Sequence, residues 1–175
     1  MKYHAITISG LICTGKSSLF KELKQKLNWP SYSASQFFRD WCREHNIPLF
    51  TAQLRPESLT REVDERMREK LSEGKKIILE GWLAGFMAQG IFGVLKVLLT
   101  CQEEGRIKRF AQRETVSQDI AKAEIKKRED NLFQKWTKIY GRSDFLESKY
   151  YDLVIDTTNL KPNEVVGLVS ARLET

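Results

Sequence analysis

Ala5-Ile6-Thr7-Ile8-Ser9-Gly10-Leu11-Ile12-Cys13-Thr14-Gly15-Lys16-Ser17 is the stretch on which the fold turns. Its first half is a short apolar, β-branched run. Its second half, Gly10 to Ser17, satisfies G-x-x-x-x-G-K-[ST]. Leu19, Leu23 and Leu27 then recur at helical spacing. A strand that enters a helix through such a loop aims successive backbone N–H groups and the positive helix end at one point, which suits a polyphosphate. Gly10 and Gly15 allow backbone angles that a side chain would forbid. The loop residues Gly10, Leu11, Ile12, Cys13, Thr14, Gly15, Lys16, Ser17 and Ser18 are therefore expected to hold a nucleoside triphosphate. Lys16 would reach its outer phosphates and the Ser17 hydroxyl would join a Mg²⁺ coordination sphere.

Outward from that loop, strands and helices alternate, as in a parallel sheet covered on both faces. The first strand is expected at about 4–9 and its helix at about 16–28, with Pro30 ending the unit. Ser31-Tyr32-Ser33 makes a brief second strand, followed by a helix over about 34–46 with Phe37, Phe38 and Trp41 on one face. An irregular stretch after Pro48 leads to a charged helix that runs to Leu71. Lys76 to Gly81 and Val94 to Leu99 read as the third and fourth strands, the latter nearly all apolar as a central strand should be. Helices at about 102–114 and 117–139 follow, the second capped by Ser117. Leu153 to Asp156 is the last strand, and a closing helix starts after Pro162. The expected architecture is α/β: a P-loop kinase-type three-layer sandwich with a five-stranded parallel sheet and a small helical lid. No repeat or linker divides residues 1–175, so one domain is expected, with a helical acceptor-binding region at about 34–73 and a lid at about 106–141. Ligands of such a sheet lie beyond the carboxyl ends of its strands.

The chain has 175 residues, 41% of them hydrophobic and 30% charged, enough for one core. The first strand begins within five residues of Met1, so no signal peptide is expected. The most apolar run, Ile91 to Leu99, is too short to span a bilayer and is broken by Lys96. Cys13, Cys42 and Cys101 are odd in number and widely spaced, which points to a reducing, cytoplasmic setting without disulfides or a zinc site. A net charge of +6 implies negatively charged partners. The basic residues punctuate helices instead of forming a tail, and aromatics do not interleave with them. The expected partner is thus a small phosphorylated molecule, a nucleotide acceptor, rather than nucleic acid or a membrane, and the protein is expected to be a monomer.

Phosphoryl transfer needs two substrates held in line and positive charge around the moving group. Arg106, Arg109 and Arg113 fall at i, i+3 and i+7 on one helix face. Arg128 and Lys135 stand two turns apart on the next helix, about 10 Å along one face. Glu80 ends the third strand on the ligand edge, where it could hold Mg²⁺ through water or form a helix-capping contact. Ser33 and Arg39 flank the end of the second strand, the natural place for an acceptor phosphate. Asp64 lies on the charged helix, where an i,i+4 pair with Arg68 is the competing reading.

Taken together, Ile8-Ser9-Gly10, Gly15-Lys16-Ser17, Ser33 to Arg39, Glu80-Gly81-Trp82-Leu83-Ala84-Gly85-Phe86-Met87, Arg109 to Glu114, Lys127 to Asp130, Ile139-Tyr140-Gly141 and Tyr151 to Thr157 resemble the cytidylate kinase family, especially its short archaeal-type members. That resemblance implies transfer of the γ-phosphoryl group of ATP to CMP or dCMP. Lys16, Arg109, Arg113 and Arg128 would be catalytic, with Mg²⁺ on Ser17. Ser33, Arg39, Asp64, Glu80, Trp82 and Lys135 would meet the acceptor. Four positions depart from the family pattern. Trp82 stands for an arginine that grips the acceptor phosphate, Leu132 for an acid linked to the cytosine end, Lys135 for an arginine and Ser35 for a glycine. These changes leave open a kinase with another small acceptor, or a nucleotide-binding module without catalysis. No Asn-Lys-x-Asp guanine-reading motif occurs.

Overall fold

The computed structural model describes residues 2–48, 51 and 54–174. Five strands form one parallel sheet: β1 (Ala5–Gly10), β2 (Ser31–Ser33), β3 (Ile77–Glu80), β4 (Val94–Thr100) and β5 (Leu153–Asp156). Their spatial order is β2-β3-β1-β4-β5. The helices are α1 (Lys16–Leu27), α2 (Ala34–Glu44), α3 (Glu57–Ser72), α4 (Ala84–Met87), α5 (Glu103–Glu114), α6 (Gln118–Tyr140) and α7 (Pro162–Glu174). The short α4 and a 3-10 turn at Ser148–Tyr150 have no counterpart in the sequence reading. Four residues are too few to show a helical period, and the glycine in Ala84-Gly85-Phe86-Met87 argues locally against helix.

The sheet is buried from both sides, which is why its central strands are apolar without alternation. On one face, Leu19 and Leu23 of α1 and Val165, Val169 and Leu173 of α7 pack on Ile6, Ile8, Ile78, Leu95 and Val97. On the other, Val63, Met67 and Leu71 of α3, with Leu83, Met87, Trp136 and Phe145, close over Ala5, Ile77 and Leu79. A third cluster, Ile12, Ile107, Phe110, Ala121 and Ile125, joins α5 and α6 to the loop after β1.

Register fixes which side chains meet at the top of the sheet. Ile8 of β1 pairs with Glu80 of β3, and Glu80 pairs with Ser33 of β2, so three strand ends converge. Strands β3 and β4 lie on opposite sides of β1, so the connections leaving the sheet diverge there and leave a crevice above β1. Caps set the helix starts: Ser33 accepts from the Gln36 N–H at the head of α2, and Ser117 from the Ile120 N–H at the head of α6. Among the described residues no helix is long and apolar enough to cross a membrane.

Candidate active site

The loop between β1 and α1 is shaped by backbone conformations as its sequence predicts. Gly10 has φ of 146°, and a Cβ there would stand 2.4 Å from the Leu99 carbonyl oxygen. Gly15, the N-cap of α1, has φ of 95°. Cys13 lies in the left-handed region at φ of 60° although it carries a side chain. Lys16 is buried, and its Nζ donates to the Leu11 carbonyl at 2.7 Å within its own loop. Its ammonium lies 5.5 Å from the centre of the Trp82 ring. Burial lowers the Lys16 pKa to about 8, with the Glu80 carboxylate pulling it the other way.

Arg106 and Arg109 act on this loop through its main chain. Arg106 donates to Glu129 at 2.5 Å and to the Ile12 carbonyl at 3.4 Å, and the Ile12 N–H donates to the same Glu129 oxygen at 3.3 Å. Arg109 donates to the Cys13 carbonyl at 3.2 Å, to the Thr157 hydroxyl at 3.0 Å and to the Thr157 carbonyl at 2.6 Å. The Thr157 hydroxyl in turn lies 2.9 Å from the Thr14 carbonyl oxygen. Three elements far apart in sequence thus hold the loop in shape. Arg113 and Arg128 are disposed otherwise: both stack on Phe110, at 5.2 and 5.0 Å, and face the crevice. Their carboxylate contacts are peripheral, Arg113 with its neighbour Glu114 and Arg128 with Glu124 at 3.8 Å.

The crevice is one pocket of about 400 Å³ that runs from the phosphate loop to α3 and α6. Lys16, Ser17, Ser18, Arg39, Asp64, Glu80, Trp82, Arg109, Arg113, Arg128 and Lys135, all singled out from sequence, line it. Ser33 does not. Its hydroxyl donates to Glu80 at 2.5 Å and accepts from the Gln36 N–H, while Ser35 lines the pocket and donates to the other Glu80 oxygen at 3.0 Å. The cap of α2 thus engages the Ser33 hydroxyl, while Ser35, two residues on, lines the pocket. Asp64 makes no i,i+4 pair with Arg68, whose guanidinium donates to the Met87 and Gln89 carbonyls. Asp64 instead accepts from the Tyr140 hydroxyl at 2.5 Å. Burial pushes its pKa up to about 6 against the lowering effect of that bond, and the Tyr140 phenol is pushed well above its ordinary range.

Trp82 fills the place between the loop and α6, edge-on to Trp136 with ring centres 5.5 Å apart. Leu132 and Trp136 add apolar surface beside it. The sequence reading overlooked Arg55, which is only 5% exposed, stacks at 4.5 Å over Phe38, and accepts a hydrogen bond at its carbonyl from Lys135. Arg55 sits in the irregular stretch before α3, where no periodicity marks a residue as inward-facing. Its only sequence signal is a lone cation in an otherwise uncharged run just before the helix that carries Thr60 and Asp64.

The donor set fits a nucleoside triphosphate with Mg²⁺. Glycine at position 10 keeps the loop close against β4, where a Cβ would strike the Leu99 carbonyl and the Thr14 hydroxyl, and Ser17 and Glu80 offer hard oxygen atoms to the pocket. No group of three or more His, Cys, Asp or Glu side chains suited to a metal occurs among the described residues. A cation here would accordingly be completed by phosphate oxygens and water, the usual manner for Mg²⁺.

Comparison with known proteins agrees with this geometry. The chain is 31% identical over 174 residues to a cytidylate kinase of Thermoplasma acidophilum, covering 97% of this chain and 92% of that one. It is 30% identical over 172 residues to one of Methanobrevibacter smithii, covering 97% and 98%. Among solved structures, a shikimate kinase from Bacteroides thetaiotaomicron superposes with a TM-score of 0.63 at 17% identity, covering 98% of both chains. A gluconokinase from Sinorhizobium meliloti superposes with a TM-score of 0.66 at 14% identity, covering 99% of this chain and 93% of that one. These two share the P-loop kinase fold, a five-stranded parallel sheet between helices. A model of the cytidylate kinase-like family matches residues 5–159, and the chain belongs to that family.

Proposed function

We propose that this chain transfers the γ-phosphoryl group of ATP to CMP or dCMP. The observation that carries the reading is the single continuous pocket. It joins the phosphate loop at the head of α1 to a separate wall bearing Arg39, Asp64 and Lys135, an arrangement that lets two substrates lie end to end.

Within that reading each residue has a defined task. Loop N–H groups and the head of α1 hold the donor phosphates, and the Lys16 ammonium neutralises the outer ones. The Ser17 hydroxyl would hold Mg²⁺, with Glu80 reaching it through water, and the ion would supply charge neutralisation at the donor phosphates. Arg113 and Arg128 spread positive charge around the group in flight as α5 and α6 close on it. Arg109 keeps the loop in shape and lines the same space. Arg39 meets the acceptor phosphate. It has no carboxylate partner among the described residues, and its charge reaches Lys16. An acceptor phosphate is largely ionised at neutral pH and needs no base to become a nucleophile. Both oxygens of Glu80 already receive serine hydroxyls, an arrangement that suits an ionised acceptor better than an alcohol.

A coupled assay of ADP release with CMP, dCMP, UMP, AMP and GMP tests the proposal. Stimulation by CMP and dCMP above the others is expected. No stimulation by any monophosphate would overturn it, and the Trp82 substitution would then direct the search to other small acceptors.

A further inference from the structure

Helix α6 gives the pocket a direction. Arg128 stands at the phosphate-loop end, stacked on Phe110. Lys135 lies seven residues further, about 10 Å along the axis, and Tyr140 lies beyond it. The Lys135 end is therefore separated from the reacting phosphates by about the length of a nucleoside. On the proposed reading, that is where the base of the acceptor rests.

The polar groups at this far end form an unusual set. Arg55 is almost fully buried and no carboxylate pairs with it among the described residues. Among the described residues its guanidinium meets the Phe38 ring and the Cys42 thiol, and its Nε has no hydrogen-bond partner there. Beside it, Lys135 is bound to the Arg55 carbonyl. Across the cavity, Asp64 receives the Tyr140 hydroxyl on one oxygen, leaving the other as an acceptor. Thr60, one turn before Asp64, has a buried hydroxyl without a partner. A buried cation without a counter-charge is costly unless a ligand supplies electron-rich atoms. The far wall therefore offers donors at Arg55 and Lys135 and an acceptor at Asp64, between the apolar faces of Leu132 and Trp136.

Cytosine presents one amino donor at N4, then acceptors at N3 and O2. Uracil presents an acceptor, a donor and an acceptor. One carboxylate oxygen next to two cationic donors complements the first order and conflicts with the second at both O4 and N3.

We propose that Arg55 is a base-contacting specificity residue: with Lys135 it donates to N3 and O2 of the acceptor's cytosine while Asp64 accepts from N4. The assignment rests on the CMP kinase reading above and adds the element that selects the base. It also gives the pocket a recognition charge at a position unrelated to Trp82 and Leu132, where the family pattern places its own.

The test compares steady-state kinetics of the whole protein with CMP and UMP for the wild type, Arg55→Met and Arg55→Lys. Arg55→Met keeps the stem on Phe38 and removes every donor. A good paired contact to a base discriminates by about 1–3 kcal/mol, so the CMP-over-UMP preference in kcat/KM should fall about 5- to 150-fold. The fall should lie in the KM for CMP, with Mg-ATP affinity by calorimetry unchanged. Arg55→Lys should retain part of the preference, because a point charge replaces a flat fork. Should Arg55→Met fail to fold, the Arg55→Lys ratio alone decides. An unchanged ratio, or equal losses for CMP and UMP, would overturn the assignment. A wild type that phosphorylates no pyrimidine monophosphate would instead overturn the function on which it rests.

Discussion

At the phosphate-loop end of the pocket, positive charge is fastened down. Arg106 is held by Glu129 and Ile12, Arg109 by Cys13 and Thr157, and Lys16 by Leu11. At the acceptor end, Arg39 and Arg55 have no carboxylate partner among the described residues, and Asp64 is held by a single phenol. The first end is built mainly from backbone: glycine conformations, main-chain N–H groups and a helix head, a set that suits any triphosphate regardless of the rest of the nucleotide. The second is built from side chains contributed by α2, the segment before α3, α3 itself and α6. Recognition of a common donor tolerates no change in shape. Selection of an acceptor, on the proposed reading, would lie in side chains that can be exchanged one at a time, Trp82, Leu132 and Lys135 among those lining the pocket.

The sharpest way to break this contrast is Lys16→Ala. The variant removes the one ammonium aimed at the outer phosphates, and turnover in the coupled assay should fall by at least about 10³-fold. Stability should barely move. Lys16 is buried at a desolvation cost that lowers its pKa to about 8, and its acceptor, the Leu11 carbonyl, keeps the Thr14 hydroxyl as a partner. A large drop in Tm by scanning calorimetry would mean that the bond from Lys16 to the Leu11 carbonyl holds the loop in shape and does not merely park the ammonium.

The same division explains what the sequence discloses. Strand and helix order, the phosphate loop, Glu80 at a strand end and Ser117 as a cap all follow from local rules: periodicity, turn chemistry and capping. Residues whose role depends on distant partners do not. Tyr140 meets Asp64 across 76 positions, and Arg109 meets Thr157 across 48. No periodic pattern forecasts either pairing. Ser33 and Ser35 pose a related problem, since two nearby serines are equivalent in the sequence until the cap of α2 engages one of them. Arg55 lies in a segment without any period at all, so only the folded chain shows that its guanidinium faces inward.

A second prediction probes the fastened end. Arg106 and Glu129 form a mostly buried pair with side chains 10% and 14% exposed, and Glu129 also satisfies the Ile12 N–H. Glu129→Ala strands both a buried cation and a main-chain donor. Breaking one side of such a pair costs about 3–5 kcal/mol. For a chain of this size that lowers Tm by roughly 6–20 °C in calorimetry. Mg-ATP affinity should fall with it, because Ile12 belongs to the phosphate loop. If the variant kept both its Tm and its nucleotide affinity, the loop would not depend on the α5–α6 brace.

The smallest effect has the opposite sign and belongs to the acceptor end. Asp64 is buried without a cation, and its pKa is raised from 3.8 to about 6. An acid whose folded pKa exceeds its unfolded value binds its proton more tightly in the native state. Stability therefore falls as pH rises from about 4 to about 6 and stays low above that. The shift of about two units corresponds to about 3 kcal/mol withheld from the fold at pH 8. Asp64→Asn removes the ionisation and keeps an oxygen for the Tyr140 hydroxyl, so it should raise Tm by roughly 6–12 °C at pH 8. At pH 4, where the wild-type carboxyl is already neutral, the two melting curves should converge. The gain at pH 8 should come with a higher KM for CMP, since a full charge facing the base has become an amide. An equal Tm difference at both pH values would show that Asp64 carries no such strain. It would also remove the stability argument for a carboxylate kept at this place by recognition alone.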